Sequence, residues 1–141
     1  MKPTELMKGD WVIRKGIPQE PMKITGFNTW KNLVYLDLSG LAITEKLDNI
    51  EGIPLTEHIL DINKFHKWEW NNHPKNNAVT YGIGDGFHVQ VCGDGKFEII
   101  DNPYEGDYGF SSNFICDVSY VHKLQNFINV SEIENAKEII L

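Results

Sequence analysis

"AVTYGIGDGFHVQVCGDGKFEII" (residues 78–100) alternates apolar and polar positions through three consecutive segments. Val79, Tyr81 and Ile83 mark the first, Phe87, Val89 and Val91 the second, and Phe97 and Ile99 the third. A period of two places alternate side chains on opposite faces, so each segment reads as a half-buried β-strand. Asp85-Gly86 and Asp94-Gly95 fall between the segments, and Asp-Gly is a favoured two-residue hairpin turn. The stretch therefore predicts three antiparallel strands.

Its glycines also invite a search for ligand-binding motifs. A dinucleotide fingerprint needs G-x-G-x-x-G opening a helix, whereas here Gly82, Gly84 and Gly86 lead into another strand. A P-loop requires G-K followed by Ser or Thr, which the chain lacks. A calcium loop counted from Asp85 meets Phe87 and Val89 at ligand positions. The glycines read as turns.

Upstream, short β-prone runs at 11–14, 22–27, 32–38, 41–47 and 49–53 are separated by turn signals such as Lys15-Gly16 and Ser39-Gly40. They predict a five-stranded SH3-like β-unit. Before it, residues 3–8 suit one helical turn stopped by Gly9. After Pro54 the period changes: Thr56 is a good N-cap, and Leu55 and Leu60 are spaced as a hydrophobic staple for a helix over 57–63. "HKWEW" (66–70) alternates polar and aromatic residues, and "NNHPKNN" (71–77) is turn chemistry.

Downstream, 101–113 reads as a long loop that interleaves Tyr104, Tyr108 and Phe110 with Glu105, Gly106, Asp107 and Gly109. Its aromatics suit recognition of a basic protein or peptide partner, or else fold back into the core. A strand at 114–118 follows. Tyr120, Val121, Leu124, Phe127 and Ile128 then form one apolar face of a helix capped by Ser119. Ser131 to Glu134 has capping-box spacing for a terminal helix through Ile139.

The sum is an α+β protein. An SH3-like unit occupies residues 1–54, and a connecting helix, a second antiparallel sheet and a C-terminal helix occupy 55–141.

The chain has 141 residues and a formal charge of −7. Residues 1–70 carry nine Lys/Arg against ten Asp/Glu, and residues 71–141 four against ten. Such a field repels phosphate backbones, so nucleic acid is not an expected partner. No apolar run reaches the length of a signal sequence or membrane span, which leads us to expect a cytoplasmic protein with no membrane partner. Cys92 and Cys116 lie in apolar strand-like surroundings and are expected to be buried, unpaired thiols.

Three stretches, "ELMKGDWV" (5–12), "IEGIPLTEHIL" (50–60) and "YVHKLQNF" (120–127), carry a resemblance. In this order and spacing the chain resembles a family of short uncharacterised proteins common in genomes of gut bacteria and their mobile elements or phages. The resemblance covers most of the chain but supplies no reaction. The family continues past the last motif with "LYFALTGEEL", whereas here Phe127 leads into "INVSEIENAKEIIL".

His122, Gln125 and Asn126 share one helix face at i, i+3 and i+4. They form either a solvated face or a polar contact surface or small pocket, with His122 as donor or general base. The other histidines, His58, His66, His73 and His88, lack metal-ligand spacing, so neither metal nor cofactor is expected. The expected function is a non-enzymatic binding or accessory protein, for which the resemblance implies a mobile-element origin, with His122, Gln125, Asn126, Tyr104, Tyr108 and Phe110 as binding residues. The alternatives are a small hydrolase using His122 and a sponge for a small anionic ligand. Self-association through exposed strand edges is also open.

Overall fold

A computed structural model describes residues 6–70, 78–106, 109–133 and 138–141. The protein is α+β, with two five-stranded antiparallel sheets and a C-terminal helix. Its contacts divide it into two compact units, Met1–Ile53 with Tyr120–His122, and Pro54–Ser119 with Lys123–Leu141.

The first unit contains β1 (Trp11–Arg14), β2 (Ile17–Asn28), β3 (Leu33–Leu38), β4 (Leu41–Lys46) and β5 (Ile50–Gly52) in the order β4-β3-β2-β1-β5. Consecutive strands form a meander until a 3₁₀ turn at Leu47–Asn49, after which β5 pairs with β1. Val12, Met22, Ile24, Val34, Leu36, Leu47 and Ile50 form the buried cluster, as the alternation within each strand requires. At the β3–β4 turn Ser39 and Gly40 take φ of 50° and 91°, and the Gly40 amide donates to Asp37 Oδ1 at 3.1 Å. The expected helical turn at 3–8 lies largely outside the described residues. Its end is a turn in which the Met7 amide donates to Asp10 Oδ2 at 2.7 Å.

The second unit contains α1 (Glu57–Ile62), β6 (His66–Trp70), β7 (Ala78–Gly84), β8 (Phe87–Gly93), β9 (Lys96–Gly106), β10 (Gly109–Asp117) and most of α2 (Val121–Val130). Its sheet is a simple meander, β10-β9-β8-β7-β6. Asp85-Gly86 and Asp94-Gly95 have φ of 54° and 82°, and 52° and 74°. Positive φ at both central residues is the hairpin turn whose twist matches the strands. Thr56 caps α1, its hydroxyl accepting from the Ile59 amide at 3.2 Å, and Leu55 and Leu60 are both buried as the staple requires. Tyr81 on β7 donates its hydroxyl to Asp61 Oδ1 at 3.1 Å or Glu57 Oε1 at 3.2 Å on α1. Burial, reinforced by the two carboxylates, raises the Tyr81 pKa well above its ordinary value.

Three expectations need correction. First, residues 101–113 are not a loop: β9 and β10 form a long hairpin with Tyr104 opposite Ser111 and Glu105 opposite Phe110. Asn102 and Pro103, which read as a break, stand opposite the single residue Ser112. Asn102 takes φ of 49°, so a β-bulge absorbs the interruption and pairing resumes beyond it.

Second, Cys92 is exposed and Cys116 half-buried, both as free thiols. Val91 pairs with Phe97, and its successor Cys92 faces the opposite side. Partial burial and the Glu98 carboxylate push the Cys92 pKa up to about 11. Burial, followed by Asp117, likewise raises that of Cys116.

Third, the terminal helix expected at 131–139 lies partly outside the described residues, and its described ends are not helical. The Ile139 amide donates to Gln125 Oε1 at 2.6 Å. Asn63 both accepts from the Ile140 amide at 2.7 Å and donates to the Ile140 carbonyl at 2.9 Å. Side-chain amides thus hold the chain end against two helix-proximal residues.

Candidate aromatic binding site

The register of the second sheet sorts its side chains into two faces. One cross-strand row runs Lys67, Tyr81, Val89, Ile99 and Cys116. Tyr81, Val89 and Ile99 are fully buried there, and Tyr81 bonds to α1. Phe87 also meets Phe127 of α2 edge to face, at a centroid distance of 5.2 Å. That face forms the core with the helices.

The opposite face carries a different chemistry. Its rows run His66, Gly82, His88, Ile100 and Phe114, then Trp68, Thr80, Gln90, Glu98 and Asp117. Trp70, two residues beyond Trp68 on β6, shares this face opposite Ala78. Trp68 and Trp70 lie nearly parallel, 21° apart with centroids 5.9 Å apart, and His66 meets Trp68 edge-on at 4.8 Å.

Strands β6 and β10 are the two edges of this sheet. In a flat sheet four interstrand spacings would separate them by about 19 Å, more than two aromatic side chains can bridge. Yet the rings of Trp70 on β6 and Phe110 on β10 are 5.4 Å apart. The sheet therefore curls over its aromatic face, and the register shift that places Asn102-Pro103 opposite Ser112 is the kind of irregularity that bends strands. The curl converts a sheet face into a concave aromatic cleft.

Small residues on β7 let the rings lie down into this cleft. Gly82 has no side chain where a Cβ would stand 3.5 Å from Trp68 Nε1 and 3.7 Å from His88 Cε1. Trp70 donates its Nε1–H to Thr80 Oγ1 at 2.9 Å. The same hydroxyl oxygen lies 2.9 Å from His88 Nδ1. Having accepted from Trp70, the hydroxyl uses its own proton by donating to Nδ1, which leaves the ring proton of neutral His88 on Nε2. Burial, followed by the charge of His66, lowers the His88 pKa below 6.5, so the ring is neutral at pH 7.

Trp68 remains 46% exposed and His66 is exposed, whereas Thr80 is 0% exposed. The cleft offers an aromatic surface held from beneath by a buried polar chain. Among the described residues, no group of three or more His, Cys, Asp or Glu is placed to hold a metal ion.

The residues singled out in the sequence lie in different places. Phe110 is buried in the cleft against Trp70, and Tyr104 is 58% exposed on β9. Tyr108 lies outside the described residues. His122 is 1% exposed, belongs with the first unit, and has its ring 5.8 Å from that of Tyr120. Gln125 is buried; besides accepting from Ile139 it donates to Asn129 Oδ1 at 3.0 Å. Asn126 is half-buried. The helix-face trio therefore does not form an open polar surface, because its first two members are enclosed.

Trp68, Trp70, His66, His88 and Gly82 were not anticipated as a site. The alternation of "HKWEW" already placed its His and both Trp residues on one strand face, and Gly82 was the one glycine of its stretch too far from either Asp-Gly turn to belong to it. No protein-family model matches the chain, and no curated protein or solved structure was found to be similar to it. No helix among the described residues is long and apolar enough to cross a membrane.

Proposed function

We propose that the protein is a non-enzymatic binding protein whose second sheet receives its ligand in the aromatic cleft. The observation that carries this reading is the near-parallel Trp68–Trp70 pair, half open to solvent and keyed to β7 through Thr80 and Gly82. Large aromatic surface is costly to leave in water, and preorganised rings beside a few polar groups are the usual lining of binding sites.

Catalytic readings have less support. Thr80 and His88 resemble a hydroxyl–base pair, but a hydroxyl with no solvent exposure cannot reach a substrate. A hydrolase using His122 meets the same obstacle, since that ring is enclosed. A sponge for a small anion is disfavoured by charge, because residues 54–141 carry six Lys/Arg against thirteen Asp/Glu.

The first unit fits an accessory role. Its β4-β3-β2-β1-β5 order, with a 3₁₀ turn before β5, supports the SH3-like reading. The resemblance to short proteins of gut bacteria and their mobile elements supports an accessory protein of mobile-element origin, acting in the cytoplasm.

Indole N–H resonances test the reading. Fractions of a host-cell extract should contain a component that shifts the Trp68 and Trp70 signals and leaves Trp30 unmoved, and Trp68→Ala should abolish the response. Turnover of a nucleotide, ester or glycan panel that disappears in His122→Ala would overturn it.

A further inference from the structure

The cleft's chemistry narrows the class of ligand, given the binding reading above. We infer that the cleft receives an arginine-bearing segment of a basic peptide, with a guanidinium laid flat on Trp68. The first argument is charge. Residues 54–141 hold the entire net charge of the chain, since residues 1–53 carry seven Lys/Arg against seven Asp/Glu. The described cations of β6–β9 do not line the middle of the cleft: Lys67 pairs opposite Tyr81 on the other face, and Lys96 stands at the β8–β9 turn opposite Gly93. Neutral His88 adds no positive charge at pH 7. An electronegative field around π-faces attracts cations and repels phosphates and carboxylates.

The second argument is shape. Trp68 and Trp70 stack along one strand with their planes 21° apart, and Trp68 remains 46% exposed as a flat indole surface open to solvent. A planar guanidinium stacks on such a surface, whereas a rounded ammonium gains most from rings that wall it in on several sides. Glu98 supplies a carboxylate in the same cross-strand row as Trp68, beyond Thr80 and Gln90. A second arginine of the same segment can pair with it bidentately. Strand β6, which carries both indoles, is an edge of the sheet among the described residues, and an edge strand is where an extended peptide can add.

The test titrates four probes into ¹⁵N-labelled protein while following the Trp68 and Trp70 indole signals. The probes are a synthetic peptide alternating Arg and Ser, its Lys and Gln analogues, and maltose. The Arg peptide should shift both signals, the Lys analogue more weakly, and the Gln analogue and maltose not at all. Trp68→Ala should weaken the Arg peptide by about tenfold or more, as expected for loss of ~1.4 kcal/mol of cation–π contact. Trp68→Phe, which keeps a ring and guards against a folding artefact, should weaken it less.

A response to maltose without one to the Arg peptide would overturn the arginine assignment and leave the cleft as a binding site. Equal binding of the Arg peptide to wild type, Trp68→Ala and Trp68→Phe would show attraction to the acidic surface alone, and would also overturn it. Silence of both indoles towards all four probes, combined with silence towards host-cell extract, would remove the binding reading as well.

Discussion

The two sheets have the same number of strands and largely the same meander connectivity, yet they use their residues differently. In the first, the fully buried cluster holds no aromatic residue, Phe27 packs against its margin, and the other aromatics are dispersed: Trp11 lies under Lys23, Tyr35 is 38% exposed, and Trp30 stands 98% exposed in the β2–β3 turn. In the second, one face buries Tyr81, Val89 and Ile99, and the other gathers His66, Trp68, Trp70, His88 and Phe110 into one set of contacting rings. A small sheet needs only one buried face to fold. The second sheet's other face leaves His66 and Trp68 exposed above a buried floor of Thr80, Ile100 and Phe110, and variants that separate stability from binding probe this difference.

The largest contrast should lie between the two faces of that sheet. Ile99→Ala removes a fully buried side chain from the core face and should cost about 2–5 kcal/mol in urea unfolding. Trp68→Ala, on a half-exposed ring, should cost less than about 2 kcal/mol while weakening the ligand response read on the Trp70 indole by about tenfold or more. Similar losses of stability for the two variants would make the aromatic face a second core and break the contrast.

Next is the polar chain beneath the rings. Thr80→Val removes the acceptor of Trp70 Nε1–H and the partner of His88 Nδ1 within a buried site. Each polar group stranded in this way typically costs about 1–3 kcal/mol. Thr80→Ser keeps the hydroxyl and should recover most of the loss, whereas a Val variant as stable as wild type would deny the chain any anchoring role.

A smaller effect follows from His88. Its pKa in the folded protein is lowered below 6.5, by burial first and by His66 second. The unfolded chain therefore takes up this proton at higher pH than the folded one. The stabilisation is complete above the ordinary histidine range and is lost as pH falls through the lowered folded value. Ring-proton shifts should show a His88 midpoint below 6.5. His66→Gln should raise that midpoint part of the way, because burial persists, and an unchanged midpoint would remove His66 as a contributor.

What could be read in advance followed from local chemistry. Period-two alternation and Asp-Gly turns located β7, β8 and the start of β9, and Thr56 with Leu55 and Leu60 located α1. These signals act over a few residues. The continuation of β9 and β10 through 101–113 was hidden because a bulge can absorb Asn102-Pro103 only when the partner strand allows it. The cleft was hidden for a related reason. It depends on which strand lies beside which and on the curl that brings Phe110 to Trp70, 40 residues away in sequence. His122, Gln125 and Asn126 did share helix spacing, but spacing alone does not reveal which helix face the fold encloses.

The smallest and sharpest comparison uses one glycine from each sheet. Gly26 on β2 and Gly82 on β7 lie mid-strand without positive φ, and each stands beside an aromatic ring of a neighbouring strand. A Cβ at Gly26 would meet only Tyr35 Cδ2, at 3.5 Å, whereas one at Gly82 would meet Trp68 at 3.5 Å, His88 at 3.7 Å and the His66 carbonyl at 3.9 Å. All are ordinary contact distances, so alanine is accommodated at both positions. Each substitution reduces unfolded-chain entropy and should stabilise by about 0.4–1 kcal/mol where nothing must move. Gly26→Ala should show this gain with unchanged ligand response. Gly82→Ala should show a similar or smaller gain but alter the Trp68 indole shift and weaken binding, because the methyl occupies the floor on which Trp68 and His88 rest. If the two variants bind alike, Gly82 is an ordinary strand glycine and the floor of the cleft lies elsewhere.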